Sequence, residues 1–467
     1  MEHNPNGKNT LTQLIHEYEA LSQRNDIGRF EEKSLLKLAN FFEEELRNDK
    51  ALEVIDFAME SFPFSVEFYL KKVHLLLSNH SLDKATDLLQ LAENLSPGDI
   101  HVQLLKCKIL CLNNECETAL SIINQLLKED TKTNFTDIKL AEACIYEHQR
   151  EYSMCFDTLS EILNFDDKHN YAIDKIWTIA DVSKRYTDSI RLHSALIDKD
   201  PYNYKAWYNI GQAYASTGEY ILAIQALEYA FIINPQFESA YKECADLCYE
   251  VGKHQRALKI YLESLEVFGP DIDVYFNAGQ CLLYLGNSRS ARKYFNKALK
   301  LDPFNDEIQY SIGLTFARES RWINAINAYK RALDIDDMRE EYYAGLGEAY
   351  FHINEFEKAE YFFKKAIIDG PEQSFIWLAY ANYLMATNRL RDAIKLLEKT
   401  DFYTQSVELE YCKTACYFLM DKKSEGLAAL ACALEKDSSM HVLLFNFAPH
   451  VQFDTDVLST IKYYSEQ

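Results

Sequence analysis

The stretch KAWYNIGQAYASTGEYILAIQALEYAFIINP, from Lys205 to Pro235, mixes large, small and helix-terminating residues at regular spacings. The residues at helical spacing are Trp207, Gly211 and Tyr214 before the short turn STGEY, and Ala223, Leu227 and Ala230 after it. Side chains three and four residues apart share one helix face, so the stretch predicts two helices joined by a turn. Small residues let the two backbones approach closely, and the large residues fill the remaining grooves.

The same small position recurs along most of the chain with a period of 34 residues. Two extra residues separate Ala119 from Cys155, and one residue is missing before Gly426. The twelve members of this series are Ala51, Ala85, Ala119, Cys155, Ser189, Ala223, Ala257, Ala291, Ala325, Ala359, Ala393 and Gly426. The glycines of a second series, twelve residues earlier, are Gly211, Gly279, Gly313 and Gly347. Trp177 is the one bulky residue in that second series, and the shared register predicts a repeat protein.

Seven of the nine prolines fall eleven to thirteen residues after a member of the first series. These prolines are Pro63, Pro97, Pro201, Pro235, Pro270, Pro303 and Pro371. Proline lacks the amide donor and clashes with the preceding turn, so each one is expected to mark the end of a two-helix unit.

The pattern resembles the tetratricopeptide repeat, a helix–turn–helix unit of 34 residues. The resemblance covers residues 32–440, and the ranges 204–237, 272–305 and 340–373 match best. One helix pair cannot bury its apolar faces alone, so the pairs must stack. The resemblance therefore implies an all-α fold, a right-handed α-solenoid of about twelve stacked repeats with N- and C-terminal capping helices. Residues 136–203 depart most from the pattern, and we expect the superhelix to be bent or loosened there.

Three segments are expected along the chain. Residues 1–31 would form an N-terminal tail and capping helix, residues 32–440 the solenoid, and residues 441–467 a C-terminal capping helix. The first capping helix is predicted over Thr10–Gln23, and the last one would begin at Asp454 or Asp456 as its N-cap. Docking elements for a partner are the alternative interpretation of both helices.

The composition bounds the kind of partner and the compartment. Subtracting 72 acidic from 49 basic residues gives a net charge of −23, which disfavours binding to nucleic acid. No signal peptide and no apolar run of about 18 residues are present, so we expect neither export nor membrane insertion. Eleven cysteines without an export signal suggest reduced thiols in a cytoplasmic protein.

The sequence contains no motif for phosphate binding, zinc ligation or nucleophilic catalysis, so we expect no enzyme and no cofactor. Three cysteine pairs have helical spacing, Cys107/Cys111, Cys244/Cys248 and Cys412/Cys416. Because a closed zinc site needs four ligands, packing in the core is the favoured interpretation of these pairs, and no metal site is predicted. His193 falls at a core position, which favours a buried histidine with satisfied hydrogen bonds over a ligand or a base.

The resemblance implies that first helices line an inner, concave face where partner segments bind. The candidate peptide-binding residues on this face are Asn209, Gln212, Lys242, Asp246, Asn277 and Gln280. Asparagine and glutamine can bond a peptide backbone as both donor and acceptor, although solvated polar positions are an equal alternative. Glu243, Asp246 and Asp273 favour a basic or backbone-recognised ligand, and the lysines that would clamp a terminal carboxylate are absent.

These observations favour a non-enzymatic scaffold or adaptor that binds a protein or an extended peptide segment on the concave face. The alternative is a permanent subunit of a multiprotein complex that uses its outer face or ends. An enzyme with a site assembled from scattered residues is a third hypothesis, which a cleft with perturbed titratable groups would favour. The ending FNFAPHVQFDTDVLSTIKYY and the residue usage are similar to tetratricopeptide proteins of Bacteroidetes-type bacteria. The oligomeric state is left open.

Overall fold

The computed structural model describes residues 14, 15, 18, 30–129, 133–404 and 406–465. The regular secondary structure of these residues is helical, and the described residues form no β-strand. Helices α1 to α24 form consecutive pairs, in which the odd-numbered helix is the first helix and the even-numbered helix is the second.

The helices of the first half of the chain are α1 (Glu32–Glu44), α2 (Asn48–Ser61), α3 (Val66–Ser78), α4 (Leu82–Leu95), α5 (Ile100–Leu112), α6 (Cys116–Glu129), α7 (Phe135–His148), α8 (Tyr152–Phe165), α9 (Asn170–Ser183), α10 (Tyr186–Lys199), α11 (Tyr204–Ser216) and α12 (Tyr220–Ile233). Those of the second half are α13 (Glu238–Glu250), α14 (His254–Phe268), α15 (Ile272–Tyr284), α16 (Ser288–Leu301), α17 (Asp306–Arg318), α18 (Trp322–Ile335), α19 (Glu340–His352), α20 (Phe356–Asp369), α21 (Ser374–Ala386), α22 (Leu390–Leu397), α23 (Val407–Leu419), α24 (Lys423–Lys436), α25 (Val442–Phe447) and α26 (Thr455–Ser465).

Each turn inside a pair contains one residue with left-handed backbone geometry. These residues are Leu46, His80, Asn114, Arg150, Lys184, Gly218, Gly252, Gly286, Ser320, Asn354, Asn388 and Asp421. Their spacing repeats the 34-residue period, including the two-residue insertion before Arg150 and the one-residue deletion before Asp421. A left-handed residue ends the first helix and reverses the direction of the chain. The same type of turn therefore recurs in every pair.

The small residues of the repeat permit close contact inside each pair. A Cβ atom at Gly313 would lie 2.3 Å from the ring of Tyr329, and one at Gly279 would lie 2.4 Å from the ring of Phe295. Both rings are fully buried, so neither position has room for a larger residue. The prediction that small residues mark the contact between paired helices is confirmed.

The prolines end the units as predicted. The helices that precede Pro63, Pro97, Pro201, Pro235, Pro270, Pro303 and Pro371 all stop two residues before the proline. The Cδ atom of proline clashes with the backbone N–H and Cβ of the residue before it, which disfavours helical geometry in that residue and ends the helix ahead of it.

The first compact unit covers residues 1–230. Its cores follow one another along the chain, from a cluster around Phe42 and Phe68 to one around Phe156 and Ile176. Helices α9 and α10 pack only loosely against each other, whereas α8 packs closely on both α7 and α9, so the loosening predicted for residues 136–203 is seen in one pair. Half-buried Trp177 stands where the other pairs have a small residue, so the two helices cannot approach as closely.

The second compact unit covers residues 231–467 and contains a large aromatic core around Tyr329, Phe363 and Tyr380. Helix α22 has only eight residues and is followed by a 3₁₀ turn from Thr400 to Phe402. Thr400 takes the place of the alanine found at this position in α16, α18 and α20. Its buried hydroxyl donates to the carbonyl oxygen of Leu397 at 2.7 Å, within the tighter turn.

The two ends carry the predicted additional helices in part. Thr10–Gln23 lies mostly outside the described residues, but Tyr18 is buried beside Phe57, with their ring centroids 5.7 Å apart. At the other end, Asp454 caps α26 by accepting from the amide of Asp456 at 2.9 Å. Val457 and Ile461 of α26 then join a core with α23 and α24. The division into two caps and a solenoid stays a prediction.

Candidate functional site

Two of the six predicted binding residues, Asn209 and Gln212, lie on α11 in the first unit. Asn209 is only 4% exposed, and its amide nitrogen donates to the carbonyl oxygen of Ile173 at 2.8 Å. Gln212 is half-buried on the same helix. The structure therefore corrects the expected surface position of Asn209, because its amide is used inside the first unit.

The second contact of Asn209 is the buried imidazole of His193. Nδ1 of His193 lies 2.7 Å from the carbonyl oxygen of Ser189, which can only accept, so Nδ1 carries the proton. Nε2 is then an acceptor for the amide of Asn209 at 3.2 Å. Burial lowers the pKa of His193 to about 4, against the opposing effect of the Ser189 hydrogen bond. The prediction of a satisfied core histidine is confirmed.

The other four predicted residues, Lys242, Asp246, Asn277 and Gln280, lie on α13 and α15 in the second unit. Asp246 accepts hydrogen bonds from the hydroxyl of Tyr261 and from the amide of Asn277, the latter at 3.4 Å. Burial and then the bond to Asp246 raise the pKa of Tyr261, so this phenol stays protonated. Asp246 and Asn277 thus join two successive first helices.

The polar contacts continue along the first helices of the second unit. Nζ of Lys242 lies 3.8 Å from Oδ2 of Asp273, and the amide of Gln280 donates to the hydroxyl of Ser311 on α17 at 3.0 Å. The structure therefore brings these four predicted residues onto adjacent first helices. A ligand that bonds them must replace contacts that they already make.

The first unit contains a cavity on its first helices, which we call the leucine groove. It has a volume of about 750 Å³ and is lined by residues of α1, α3, α5 and α7. Its central strip consists of Leu36, Leu70, Leu104 and Leu140, all half-buried. The groove therefore offers a continuous apolar strip across four successive first helices.

Polar residues flank the leucines on both sides. One turn further along the helices lie Asn40, His74, Lys108 and Cys144, and one turn earlier lie Glu67, His101 and Asp137. Burial and then the charges of Lys108 and Lys71 lower the pKa of His74, whereas Glu43 acts in the opposite direction. Lys71 is paired with Glu43, and no residue in the described part of the chain forms an ion pair with Lys108. One flank is thus cationic or neutral, and the other is largely acidic.

The leucine groove was not among the predicted binding residues, although the sequence carries its signal. Leu36, Leu70, Leu104 and Leu140 are separated by 34, 34 and 36 residues, which is the register of the repeat. They occupy the same repeat position as Lys242 in its own pair. The binding residues predicted from the sequence all come from the central repeats. There, the repeat position of Leu36 and Lys242 is mostly polar or aromatic.

The groove contains two cysteine thiols, Cys111 and Cys144. Burial is the main cause that raises the pKa of Cys144 and raises that of Cys111 to about 12, so both thiols stay protonated and weakly nucleophilic. The helical pairs that include Cys107, Cys244 and Cys412 are buried and free of disulfides. Across the ranges that the structure describes, no group of three or more His, Cys, Asp or Glu side chains is placed to hold a metal.

The paired helices, their left-handed turns and the first-helix groove define an α-helical repeat protein. Models described as "Tetratricopeptide repeat" match residues 237–303 and residues 182–238, 276–338 and 310–374, which together span 182–374. Residues 182–374 therefore consist of tetratricopeptide repeats, as the sequence predicted.

The curated relatives are distant. The chain is 22% identical over 217 residues to "TPR repeat-containing protein YpiA" of Bacillus subtilis, a match covering 46% of this chain and 51% of the relative. It is 25% identical over 137 residues to "BBSome complex member BBS4" of Bos taurus, covering 29% and 26%. It is 20% identical over 141 residues to "Anaphase-promoting complex subunit 3" of Schizosaccharomyces pombe, covering 30% and 21%. The chain thus spans about half or less of the length of these relatives.

Two solved structures resemble the chain at low sequence identity. A tetratricopeptide repeat protein from Parabacteroides merdae has 16% identity and a TM-score of 0.44, covering 56% of this chain and 99% of that one. Yeast Tom70 has 16% identity and a TM-score of 0.43, covering 92% of this chain and 99% of that one.

None of the helices formed by the described residues is both long and apolar enough to cross a bilayer.

Proposed function

We propose that this protein is a non-enzymatic scaffold or adaptor that binds a protein or an extended peptide segment on the surface formed by its first helices. The leucine groove is the observation that carries this proposal. Half-buried leucines from four successive first helices form an apolar strip with polar flanks, which is the composition of a binding cavity. The first helices are the ones that the sequence predicts to line the concave binding face.

The spacing of the leucines indicates which ligand would fit. Helices in direct contact are separated by about 8–10 Å, and we infer a spacing of at least this size between successive leucines. A segment in polyproline II geometry advances about 9 Å in three residues, and an α-helix advances about 10 Å in seven. The proposed ligand therefore carries apolar side chains at every third residue if extended, or at every seventh if helical.

The second unit supports a different partner preference. Lys242, Asp246, Asn277 and Gln280 provide a polar strip on which Asp246 and Asp273 carry negative charge. A basic or backbone-recognised segment would complement this strip. Gln212 remains available for the same role in the first unit, whereas buried Asn209 supports the structure beneath it.

We infer a role without catalysis or cofactor. The groove thiols are protonated, and the strongly shifted His193 is buried among hydrogen-bond partners rather than in a cleft. The eleven cysteines are free, which supports the proposed cytoplasmic location. We also propose a bacterial source. The acidic net charge supports a protein partner rather than nucleic acid.

A permanent assembly subunit is the second candidate function. Helix α12 exposes the apolar side chains of Ile221, Leu222 and Tyr229 on one side, although its other side is fully buried in the core. Exposed apolar residues grouped on one face are typical of interaction surfaces. Two relatives are named as a complex member and a complex subunit, which also favours this candidate.

The test of the proposal is crosslinking of the tagged full chain in lysate of its native cells, with residue-level mapping of partner crosslinks. Crosslinks to Lys71 and Lys108 at the leucine groove would support binding on the first helices. Crosslinks confined to the second helices or the chain ends would favour the assembly subunit. The absence of any enriched partner would overturn both candidates.

A further inference from the structure

A second cavity, independent of the leucine groove, lies in the second unit between α20, α21 and α22. It has a volume of about 730 Å³. Helix α20 runs for fourteen residues, whereas α22 stops after eight and continues as the 3₁₀ turn at Thr400. The last turn of a second helix is therefore missing at this point, and the space beside α20 stays open.

The walls of this cavity are apolar. Ile368 of α20 is 75% exposed, and Tyr403, just after the 3₁₀ turn, is 54% exposed. The ring of Tyr403 stacks on that of buried Trp377 with a centroid distance of 5.7 Å, and half-buried Leu396 lies on the same wall. Large apolar side chains at such exposure are unfavourable in water, and a bulky apolar ligand group would cover them.

The rim of the cavity carries an excess of cations. Its described charged side chains are Lys364, Arg389, Lys395 and Lys399, against Glu360 and Asp392. Four positive minus two negative charges give +2, in a chain whose net charge is −23. A local excess of this sign attracts an acidic ligand against the field of the whole protein.

The two acidic groups of the rim are already neutralised within the protein. Arg389 donates to Glu360 at 2.6 Å and to Asp392 at 2.9 Å, and Lys364 lies 2.8 Å from Glu360. These contacts, led by the hydrogen bond from Arg389, lower the pKa of Glu360 to about 2. Lys395 and Lys399 form no ion pair with any side chain in the described ranges. Their charges are therefore left for a ligand.

We propose that this cavity, the lysine-rimmed groove, binds an acidic segment of a partner protein that inserts one bulky apolar side chain. The apolar group packs between Ile368 and Tyr403, and flanking carboxylates pair with Lys395 and Lys399. Both requirements follow from the lining, because carboxylates alone would leave the apolar walls exposed and an apolar segment alone would leave the lysines unpaired. The site is built mainly from second helices and does not depend on the proposed binding surface of the first helices.

The test is a selection from a random twelve-residue peptide display library on the immobilised full chain. We expect enriched peptides to carry at least two Asp or Glu residues beside a Leu, Phe, Tyr or Trp. A synthetic copy of the most enriched acidic peptide would then be titrated by fluorescence anisotropy. The double substitution Lys395→Glu/Lys399→Glu should weaken its binding at least tenfold, and raising the salt should weaken binding to the unmodified chain.

Two controls separate this site from general charge effects and from the leucine groove. Lys293→Glu/Lys300→Glu changes the net charge equally on exposed positions of α16 and should alter binding less than twofold. Leu70→Asp/Leu104→Asp should leave this peptide's binding unchanged. Enrichment of only basic or neutral peptides, or equal binding to the Lys395→Glu/Lys399→Glu variant, would overturn the proposal.

Discussion

The amide of Asn209 on α11 donates to Nε2 of His193 on α10 at 3.2 Å, and both side chains are buried. The contact involves a histidine at a repeat position where the other pairs carry leucine, isoleucine, phenylalanine or tyrosine. The second hydrogen of the Asn209 amide goes to the carbonyl oxygen of Ile173, so the amide links three helices. Buried polar groups that are fully hydrogen-bonded favour one unique arrangement of a core.

Replacing Asn209 with alanine should destabilise the protein. The substitution leaves Nε2 of His193 and the carbonyl oxygen of Ile173 without their donor, which costs about 1–3 kcal/mol in the free energy of unfolding. Gln212→Ala on the same helix is the matched control and should change it by less than about 0.5 kcal/mol. Urea unfolding followed by circular dichroism measures both variants. Equal stability of the two would refute the proposed role of Asn209.

The imidazole of His193 should remain neutral until strongly acid pH. Its pKa is about 4 in the folded chain and about 6.5 when exposed, so the unfolded chain binds the proton first as pH falls. The stabilisation is therefore complete above pH 6.5 and decreases between pH 6.5 and 4, by roughly 3 kcal/mol in total. The NMR resonance of His193 Cε1–H should stay constant from pH 8 to pH 5.5. A titration midpoint near 6.5 would contradict the buried neutral ring.

Adding one methyl group at Gly313 should loosen the pair formed by α17 and α18. The new Cβ would lie 2.3 Å from the buried ring of Tyr329, and overpacking of this kind costs about 1–3 kcal/mol. Gly98→Ala provides the control, since no heavy atom lies within 4 Å of the added carbon there. The thermal unfolding midpoint should fall for Gly313→Ala only. A similar midpoint for both variants would show that the helices separate easily.

Leu46→Gly should stabilise the first helix pair. Leu46 has φ 59° and is 89% exposed, and left-handed geometry costs a non-glycine residue about 1–2 kcal/mol. Glycine removes this strain but costs about 0.5–1 kcal/mol in entropy, which leaves a gain of up to about 1.5 kcal/mol. Glu45→Gly, one residue earlier at φ −80°, should instead destabilise the protein. Loss of stability in Leu46→Gly would contradict the strain assigned to this turn.

Much of the fold follows from residues whose effect is local. Proline stops a helix that reaches it from the N-terminal side, small residues are needed where backbones meet, and Asp454 can cap only the helix that follows it. The same patterns identified His193 as a core residue. They could not show that Asn209 points into the core, because that depends on how α11 crosses α9 and α10.

The binding surfaces were less accessible to prediction from sequence. The spacing of Leu36, Leu70, Leu104 and Leu140 is visible in the sequence, but whether leucines at this position are covered depends on packing between pairs. The lysine-rimmed groove depends on the early end of α22, where neither proline nor glycine marks the stop. Two features of the sequence indicate this early end. One residue of the repeat is missing before Gly426, and Thr400 replaces an alanine.

The most direct test of the proposed function is affinity purification of three forms of the full chain from native lysate, with quantification of co-purified proteins. The forms are the unmodified chain, Leu70→Asp/Leu104→Asp in the leucine groove, and Ile221→Asp/Tyr229→Asp on exposed positions of α12. Circular dichroism checks folding, and Lys108→Glu serves as a milder groove variant. We predict that both groove variants lose a specific partner that the α12 variant retains. Loss of the partner from the α12 variant alone would contradict binding on the first helices and support the assembly subunit.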